Sequence, residues 1–257
     1  MKQRRLAAIS GGLGDIGQAC ALAFAQLGVD VAVCDLQVDH RSDELEARIV
    51  SSGVQYSCKH ADVADEASVD SWFQAVERDL GTPDMVVVNA ALVAPSGIRE
   101  MTAANWQSHV DVNLTGAMHV ANSAAKAIVA AGKPGHIVFI GSWAAEAPHS
   151  HAAAYCVAKA GLRMLMRVMA LEYAPSGIQV NEVAPGLVEA GLSRQVFQDN
   201  PALRERMIGK IPLNRMMTAD EVAWHVTNVC DPRNRSMCGA TITCDGGLSL
   251  ATAAGGD

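Results

Sequence analysis

Short apolar runs alternate with longer amphipathic stretches along most of the chain. The runs are continuously apolar, which is typical of strands that are buried on both faces of a parallel sheet. We predict strands at Leu6–Ser10, Val31–Asp35, Val54–Cys58, Met85–Asn89, His136–Gly141, Ile178–Val183 and Ala240–Cys244. We predict helices at Ile16–Leu27, Ser42–Ser52, Glu66–Leu80, Ala103–Ala131, Ala152–Tyr173 and Ala219–Cys230. This alternation indicates a doubly wound α/β fold with helices on both faces of a parallel sheet.

The composition limits the classes of function that the chain can have. Half of the 257 residues are hydrophobic and 18% are charged, which allows a sizeable core. The formal net charge of −7 argues against a general nucleic-acid-binding protein. No apolar stretch approaches the roughly 20 residues of a membrane span. The seven cysteines form no Cys-x-x-Cys pair, which favours reduced thiols in a cytoplasmic protein over disulfides or a zinc site.

The chain shows no linker that would divide it, so we expect a single domain over residues 1–257. Its least regular segment follows a late predicted strand, at about residues 186–212, and mixes apolar with polar side chains. Such a segment could be a lid over a binding site or a plain surface helix, and we expect a lid.

Tyr155 and Lys159 stand four residues apart on a predicted helix, and Tyr155 follows Ser142 by thirteen residues. Residues at this spacing share one helix face, so the lysine ammonium should lie near the phenol. A phenol has a pKa of about 10, and a nearby positive charge lowers it. Such pairs also occur by chance on amphipathic helices. Tyr155 is nevertheless the only one of the three tyrosines with a lysine at this position, which predicts a general acid or base.

A glycine-rich turn, Ser10 to Gly17, lies between the first predicted strand and the first predicted helix. Glycines allow the backbone to approach a pyrophosphate, and the helix N-terminus supplies N–H donors. Asp35 ends the second predicted strand, where a carboxylate accepts hydrogen bonds from ribose hydroxyls and repels a 2′-phosphate. The turn and Asp35 therefore predict NAD as the cofactor, although the nearby Arg41 keeps NADP open.

Ser142, Tyr155 and Lys159 resemble the catalytic serine and the Tyr-x-x-x-Lys pair of the classical short-chain dehydrogenase/reductase family. Asn113 matches the helix asparagine of that family's catalytic tetrad. The resemblance covers nearly the whole chain. It implies a single Rossmann-type domain with a seven-stranded parallel sheet, and a homotetramer packed through the helices predicted at Ala103–Ala131 and Ala152–Tyr173.

The glycine-rich turn resembles the family pattern Thr-Gly-x-x-x-Gly-x-Gly. Ser10 stands for the threonine, and Gly11 and Gly17 match the first and last glycines. Asp15 occupies the middle glycine position, which is a departure from the pattern. We expect its carboxylate to cap the first helix through backbone N–H groups, away from the phosphates. The resemblance assigns these positions, together with Ile16, to the cofactor.

Further motifs follow the later strands in the family's order. They are Asp62-Val63, Asn89-Ala90-Ala91, Asn181 with Pro185 and Gly186, and Asp245-Gly246-Gly247. The resemblance assigns the pair Asp62-Val63 to the cofactor, with the acid on the adenine amino group. It assigns Asn89 and Ala90 to the adenosine side and the central sheet, and Pro185 and Gly186 to the cofactor. Val188 stands where a backbone group meets the nicotinamide carboxamide.

Two departures concern the same regions. Ala91 replaces a family glycine, and Ala190 replaces a hydroxyl residue near the carboxamide, for which Ser193 could substitute only if the loop shifts.

The resemblance implies hydride transfer between a secondary alcohol, or its ketone, and nicotinamide. Tyr155 would move the hydroxyl proton, and Lys159 would lower the pKa of the phenol and bind the nicotinamide ribose. Ser142 would hydrogen-bond the reacting oxygen, and Asn113 would hold a water that links Lys159 to solvent.

Four other residues near the predicted site each allow two interpretations. Trp143 could narrow the pocket or pack in the core. His149 and His151 could touch substrate or lie on a surface loop. Arg194 could recognise an anionic substrate group or be a solvated charge.

The leading interpretation is an NAD-dependent dehydrogenase of a polyol, sugar, hydroxy acid or cyclic alcohol. The alternatives are an NADP-preferring 3-oxoacyl reductase of the same family and a catalytically silent NAD-binding or scaffold protein. Enoyl reductases of the superfamily place lysine seven residues after tyrosine, where this chain has Leu162, which argues against that activity.

Overall fold

A computed structural model describes residues 4–253 of the chain, with backbone only at positions 192, 193, 195, 196, 252 and 253. Seven parallel strands form one sheet in this part of the chain, in the spatial order β3-β2-β1-β4-β5-β6-β7. The strands are β1 (Leu6–Ser10), β2 (Asp30–Asp35), β3 (Tyr56–His60), β4 (Met85–Val88), β5 (Gly135–Ile140), β6 (Ile178–Pro185) and β7 (Thr241–Cys244). The predicted seven-stranded, doubly wound Rossmann-type sheet is confirmed.

Helices connect the strands and cover both faces of the sheet. They are α1 (Asp15–Gln26), α2 (His40–Val50), α3 (Glu66–Asp79), α4 (Ala103–Val110), α5 (Ala117–Ala130), α6 (Ala153–Tyr173), α7 (Gly191–Asp199), α8 (Pro201–Ile208), α9 (Ala219–Val229) and α10 (Leu248–Ala253). Within residues 4–253, none of them is both long enough and apolar enough to cross a bilayer.

Most predicted boundaries differ from the structure by one or two residues, and the physical cause can be named at three elements. The third strand begins two residues later than predicted, because Tyr56 is the residue that pairs with Val31 of β2. The second helix begins before Ser42, because the Asp39 side chain accepts a hydrogen bond from the Arg41 amide and caps it earlier. The predicted helix Ala103–Ala131 is interrupted by a π-helical segment at Asp111–Gly116, which separates α4 from α5.

Alternating side chains of the central strands supply two hydrophobic layers. On β1, Leu6 and Ala8 face a layer with α3, α5 and α6, where Trp72 is among the largest buried side chains. Ala7 and Ile9 face the other layer, with α1, α2 and α9. Burial of each large apolar side chain contributes about 1.5–3 kcal/mol, so both faces of the sheet fix its position between the helices.

The chain order of the strands reverses between β1 and β4, and a ligand crevice forms at such a point in open α/β sheets. The Ser10 hydroxyl oxygen accepts hydrogen bonds from the backbone amides of Asn89 and Ala90, at 3.1 and 3.3 Å. The Asn89 side-chain amide donates to the carbonyls of Ser10 and Gly11, at 3.1 and 2.9 Å. These four bonds join the carboxyl ends of β1 and β4 and set the shape of the crevice.

Candidate active site

A cleft of about 550 Å³ opens at the carboxyl ends of the strands and contains most of the predicted site residues. It is lined by Gly11, Asp15, Ile16, Asp35, Asp62, Val63, Asn89, Ala90, Ser142, Tyr155, Lys159, Pro185, Gly186 and Val188. Ser10, Gly17 and Asn113 are not among the lining residues and are buried in the structure. The lining itself brings residues from six strand ends to one site.

The glycine turn leaves no room for side chains at its two matched glycines. Gly11 has a φ of +63°, and a Cβ there would lie 2.8 Å from the Ala90 Cα atom. A Cβ on Gly17 would lie 2.2 Å from the Gly11 carbonyl oxygen. The backbone therefore lines the cleft at the start of α1, as a pyrophosphate cradle requires. This observation fits a dinucleotide, whose phosphates the turn and the helix N-terminus would hold.

The expectation that Asp15 caps α1 was wrong. The N-cap is Gly14, and no side chain caps the helix. The Asp15 carboxylate instead accepts a hydrogen bond from the Gly191 amide at 2.6 Å and lies 3.4 Å from an Arg194 guanidinium nitrogen. Because Gly191 is the first residue of α7, Asp15 satisfies an amide at the N-terminus of that helix and connects it to the glycine turn.

Asp35 lines the end of the cleft where the turn meets β2. Its carboxylate accepts a hydrogen bond from the Leu13 amide at 3.0 Å, which fixes it beside the glycine turn. Arg41 reaches the same turn by donating to the Leu13 carbonyl at 3.3 Å, and its guanidinium is paired with Asp39 at 2.8 Å. One anionic and one cationic side chain therefore face the position predicted for the adenosine ribose.

Asp62 and Val63 follow β3 and form the opposite wall of this end. The Asp62 carboxylate accepts a hydrogen bond from the Ala64 amide at 2.9 Å, while the Val63 carbonyl contacts a ring nitrogen of His119 at 3.0 Å. A Cβ on Gly116 would lie 2.8 Å from a Val63 methyl carbon. Gly116 at the end of the π-helical segment therefore allows this wall to pack closely against α5.

Tyr155 and Lys159 lie in the first turns of α6 and both face the cleft. The Lys159 nitrogen lies 5.6 Å from the centre of the Tyr155 ring and donates a hydrogen bond to the Ile140 carbonyl at 2.8 Å. Burial lowers the pKa of the Lys159 amine to about 8, and the buried Glu182 carboxylate opposes this effect. The ammonium is thus held by the end of β5 in a site with little access to water.

The pKa of the Tyr155 phenol is raised above its ordinary value, in the opposite direction to the one predicted. Burial of the phenol is the main cause, and a hydrogen bond with the Ser142 hydroxyl partly offsets it. The prediction rested on the charge of Lys159, which lowers the pKa of the phenol. Desolvation of the phenol raises that pKa and is the larger effect in this cleft.

Ser142 follows β5 and begins the short 3-10 turn Trp143–Ala145. Its hydroxyl oxygen accepts a hydrogen bond from the Ala144 amide at 3.1 Å, which fixes the side chain and leaves its proton free to point towards Tyr155. The backbone-capping interpretation and the catalytic one are therefore compatible, because a hydroxyl group both accepts and donates.

Asn113 lies in the π-helical segment and is only 1% exposed. Its side chain accepts a hydrogen bond from the Leu92 amide and donates one to the Leu92 carbonyl, both at 2.8 Å. The side chain therefore positions the loop after β4, and its proton-relay role remains a prediction. His109, which the sequence analysis did not select, supports the same loop by accepting a hydrogen bond from the Ala94 amide at 3.1 Å.

Pro185, Gly186 and Val188 form the side of the cleft that follows β6. A Cβ on Gly186 would lie 2.7 Å from the Asp245 Cα atom, so this glycine allows β6 and the closing motif to approach. Ala190 also lines the cleft, and its amide bonds to the Val188 carbonyl at 2.8 Å. The side chain of Ser193, the predicted substitute for a hydroxyl here, lies outside those described.

Three of the four residues with two interpretations have structural roles. Trp143 is buried in a cluster with Ala147, Phe197, Ile211, Met216 and Leu248. The His149 ring packs against Trp143 in a tilted arrangement, with ring centres 4.0 Å apart, and burial lowers the pKa of the His149 imidazole. Arg194 contacts Asp15 and donates to the Glu189 carbonyl at 3.0 Å. The fourth, His151, is exposed outside the cleft lining.

Two buried charged residues next to the site were missed by the sequence analysis. Glu182 on β6 is fully buried, and the Arg163 side chain on α6 is 7% exposed. A glutamate inside an apolar strand and an arginine four residues after Lys159 were the available signals, because buried charges require partners. Their pairing could not be read from either segment alone.

A protein-family model described as Enoyl-(Acyl carrier protein) reductase matches residues 12–249. The chain is 30% identical to a cis-4-hydroxycyclohexanecarboxylate dehydrogenase from Sinomonas cyclohexanicum, covering 95% of this chain and 96% of that protein. It is 31% identical to 3beta-hydroxysteroid dehydrogenase 1 from Eggerthella lenta, with coverages of 94% and 92%. It is 28% identical to the 3-oxoacyl-(acyl-carrier-protein) reductase FabG from Pseudomonas aeruginosa, with coverages of 97% and 99%.

Solved structures share the fold over nearly the whole chain. A short-chain type dehydrogenase/reductase from Mycobacterium marinum has a TM-score of 0.89 and 30% identity, covering 95% of each chain. An actinorhodin polyketide ketoreductase with NADPH has a TM-score of 0.91 and 25% identity, covering 97% of this chain and 98% of that one.

The depressed pKa of Lys159 predicts a pH dependence of the free energy of unfolding of the wild type that the variant Lys159→Met lacks. Between pH 8 and about 10.4, unfolded chains bind more protons at this lysine than folded ones, so the wild type gains stability as the pH rises. The free energy of unfolding of the wild type, relative to Lys159→Met, should rise by about 2 kcal/mol across this window. Urea titrations at several pH values measure it.

The matched control is Lys126→Met, which removes an exposed lysine from α5. A difference between wild type and Lys159→Met that stays constant from pH 8 to 10 would contradict the depressed pKa.

Proposed function

Because the chain belongs to the short-chain dehydrogenase/reductase family and is an oxidoreductase acting on CH–OH groups, we propose that it is an NAD-dependent dehydrogenase of secondary alcohols. The observation that carries the proposal is the presence of Ser142, Tyr155 and Lys159 in one cleft with a dinucleotide cradle. Asp35 at the far end of the same cleft supports NAD over NADP.

A bound nicotinamide cofactor would supply the hydride acceptor or donor for this reaction. During alcohol oxidation, the Tyr155 phenolate accepts the proton of the substrate hydroxyl and becomes the phenol, and during reduction the phenol gives that proton to the ketone oxygen. Ser142 donates a hydrogen bond to the reacting oxygen and stabilises its developing negative charge. The raised phenol pKa must fall for this step, and the Lys159 ammonium favours the phenolate because it is the nearest cation on the same helix.

Asn113 contributes through the π-helical segment behind the cleft. Its side chain is committed to Leu92, so it holds the loop that follows β4 against the site. We assign the relay of protons between Lys159 and solvent to a water held at this segment, as the family resemblance implies.

Cyclic secondary alcohols are the substrate class that we propose first. Leu92, Val93, Val112, Ile140 and Ala190 add apolar surface to the cleft beyond the cofactor cradle. Such walls suit a hydrocarbon ring better than a free polyol, whose hydroxyls need partners when buried. Two relatives whose names specify a hydroxycyclohexane and a hydroxysteroid substrate support this choice.

An NADP-preferring 3-oxoacyl reductase is the second candidate. Arg41 lines the cleft beside Asp35, and a guanidinium at this position could pair with a 2′-phosphate. The likeness to a 3-oxoacyl reductase and to a ketoreductase solved with NADPH favours it. Its Asp39 partner and the Asp35 carboxylate oppose it, because both place negative charge near that phosphate.

The segment at residues 186–212 is proposed as a lid over the substrate end of a single domain. It carries α7 and α8, and Phe197 and Ile211 anchor it on the Trp143 cluster. A cytoplasmic location is supported by the seven cysteines, which are all free. The enoyl reductase of the family model's description is not proposed, because Leu162 occupies the position of that group's lysine.

A homotetramer packed through the α4–α5 and α6 helices is the assembly that we propose. On α6, Val157, Met164, Val168 and Leu171 are each at least half exposed and share one face at helical spacing. An apolar stripe of this kind favours burial against another copy of the helix.

Tyr155→Phe should lower turnover with an alcohol by about 10²–10⁴-fold, because the acid/base oxygen is removed. Affinity for NAD should change little, since the ring and Lys159 remain. Steady-state kinetics from NADH absorbance and a cofactor titration measure the two effects. Tyr173→Phe, at the other end of α6, is the matched control, and comparable losses in both variants would remove Tyr155 from the mechanism.

Asp35→Ala should narrow the preference for NAD over NADP by about tenfold, since it removes a charged acceptor worth about 1.5–3 kcal/mol. The ratio of kcat/KM values with the two cofactors measures the preference. Asp43→Ala, which removes an exposed carboxylate from α2, is the control. An unchanged ratio in Asp35→Ala would mean that the ribose is recognised elsewhere.

Leu171→Asp should weaken the proposed assembly, because it places a charge at the most exposed member of the apolar stripe. Sedimentation equilibrium should show a tetramer for the wild type and smaller species for the variant. Val50→Asp, at an exposed position of α2, should leave the mass unchanged. A monomeric wild type would contradict the assembly.

A further inference from the structure

Arg163 and Glu182 form a buried ion pair directly behind the catalytic residues. The Arg163 guanidinium donates to both Glu182 carboxylate oxygens, at 2.7 and 3.2 Å, in a two-pronged arrangement. The Thr241 hydroxyl on β7 donates to the same carboxylate at 2.7 Å. The pair thus joins α6, β6 and β7, with the Glu182 carboxylate fully buried.

The same guanidinium also holds the turn that carries the catalytic serine. Arg163 donates a hydrogen bond to the Ser142 carbonyl at 3.3 Å and pairs with Glu146 just after the 3-10 turn. It therefore contacts both sides of the turn that begins at Ser142. The Ser142 side chain moves with the backbone of this turn, so any shift of the turn would move the Ser142 hydroxyl relative to Tyr155.

Gly141 is the third member of this arrangement. A Cβ at Gly141 would lie 1.8 Å from a Glu182 carboxylate oxygen, so only glycine leaves room for the buried charge beside Ser142. Glu182 also acts on Lys159, whose ammonium it favours from β6. One carboxylate therefore faces two cations of α6, and Glu146 balances Arg163 from the surface side.

We propose that Arg163 and Glu182 are positioning residues of the dehydrogenase site, which hold the Ser142 turn in register with Tyr155 and balance the charge of Lys159. The proposal rests on the proposed function, because it assigns a role in that reaction. A purely structural ion pair, by contrast, could be replaced by apolar side chains at little or no loss of stability.

The first test replaces the pair as a unit, in the double variant Arg163→Met with Glu182→Met. Removing both charges avoids an unpaired buried ion, so the variant should fold and bind NAD within about threefold of the wild type. If the pair positions Ser142, kcat with an alcohol should fall at least about tenfold while KM changes less. A double variant with wild-type kcat would overturn the proposal.

The second test uses Glu182→Gln, which keeps the volume and a hydrogen-bond acceptor but removes the negative charge. Loss of a nearby negative charge makes proton release easier for both Lys159 and Tyr155, because it raises the local potential. The apparent pKa in the pH profile of kcat/KM should therefore move down by about half a unit or more. An unshifted profile would overturn the charge-balancing role, and this variant decides the question even if the double variant does not fold.

The matched control is Lys133→Met, which removes the partner of Asp84 at the opposite end of the strands. It should leave the pH profile unmoved.

A titration of the phenolate by ultraviolet absorbance makes the test independent of turnover. The difference between a protein and its Tyr155→Phe counterpart isolates this phenol, and the titration should shift downwards in the Glu182→Gln background. A wild type that oxidises no alcohol in a broad panel would refute the proposed function, whereas an unshifted phenol titration would refute the role of the pair.

Discussion

The tie between β1 and β4 is the interaction on which the site depends. The Ser10 hydroxyl and the Asn89 side chain together form hydrogen bonds with backbone groups at the ends of β1 and β4, where the chain order of the strands reverses. These hydrogen bonds fix the position of the glycine turn relative to the loop that leads to Leu92. Asn113 then fixes Leu92 from the other side, so the cleft wall is determined by polar contacts at the edge of a hydrophobic sheet.

Desolvation sets the electrostatics of Tyr155 and Lys159. Burial disfavours both the Lys159 ammonium and the Tyr155 phenolate, so each group alone is shifted towards its neutral form. Together the two charged forms attract each other, and that attraction is strong in a site from which water is excluded. The surrounding charges then determine whether the neutral or the charged forms of the two groups are favoured. The fully buried Glu182 therefore affects their protonation as well as the packing.

Much of the fold, and the residues that meet in the candidate site, could be predicted because the signals are local. Buried parallel strands are continuous apolar runs, and Tyr155 with Lys159 shares one helix face. Contacts between distant segments could not be predicted in the same way. The Asp15 carboxylate meets an amide 176 residues away, and Arg163 meets Glu182 on another element, so tertiary packing chooses these partners. Desolvation of Tyr155 was missed for the same reason, since it depends on the whole cleft.

In the π-helical segment at Asp111–Gly116, each backbone hydrogen bond spans one residue more than in an α-helix, so the segment adds one residue to the helical stretch. The faces of α4 and α5 are therefore out of phase by about 100° relative to a continuous α-helix. His109, at the end of α4, and Asn113, within the π-helical segment, both reach the loop after β4. Deleting a single residue from this segment would rotate α5 by that angle relative to α4, so the register of a helix, as much as its side chains, shapes the wall of the cleft.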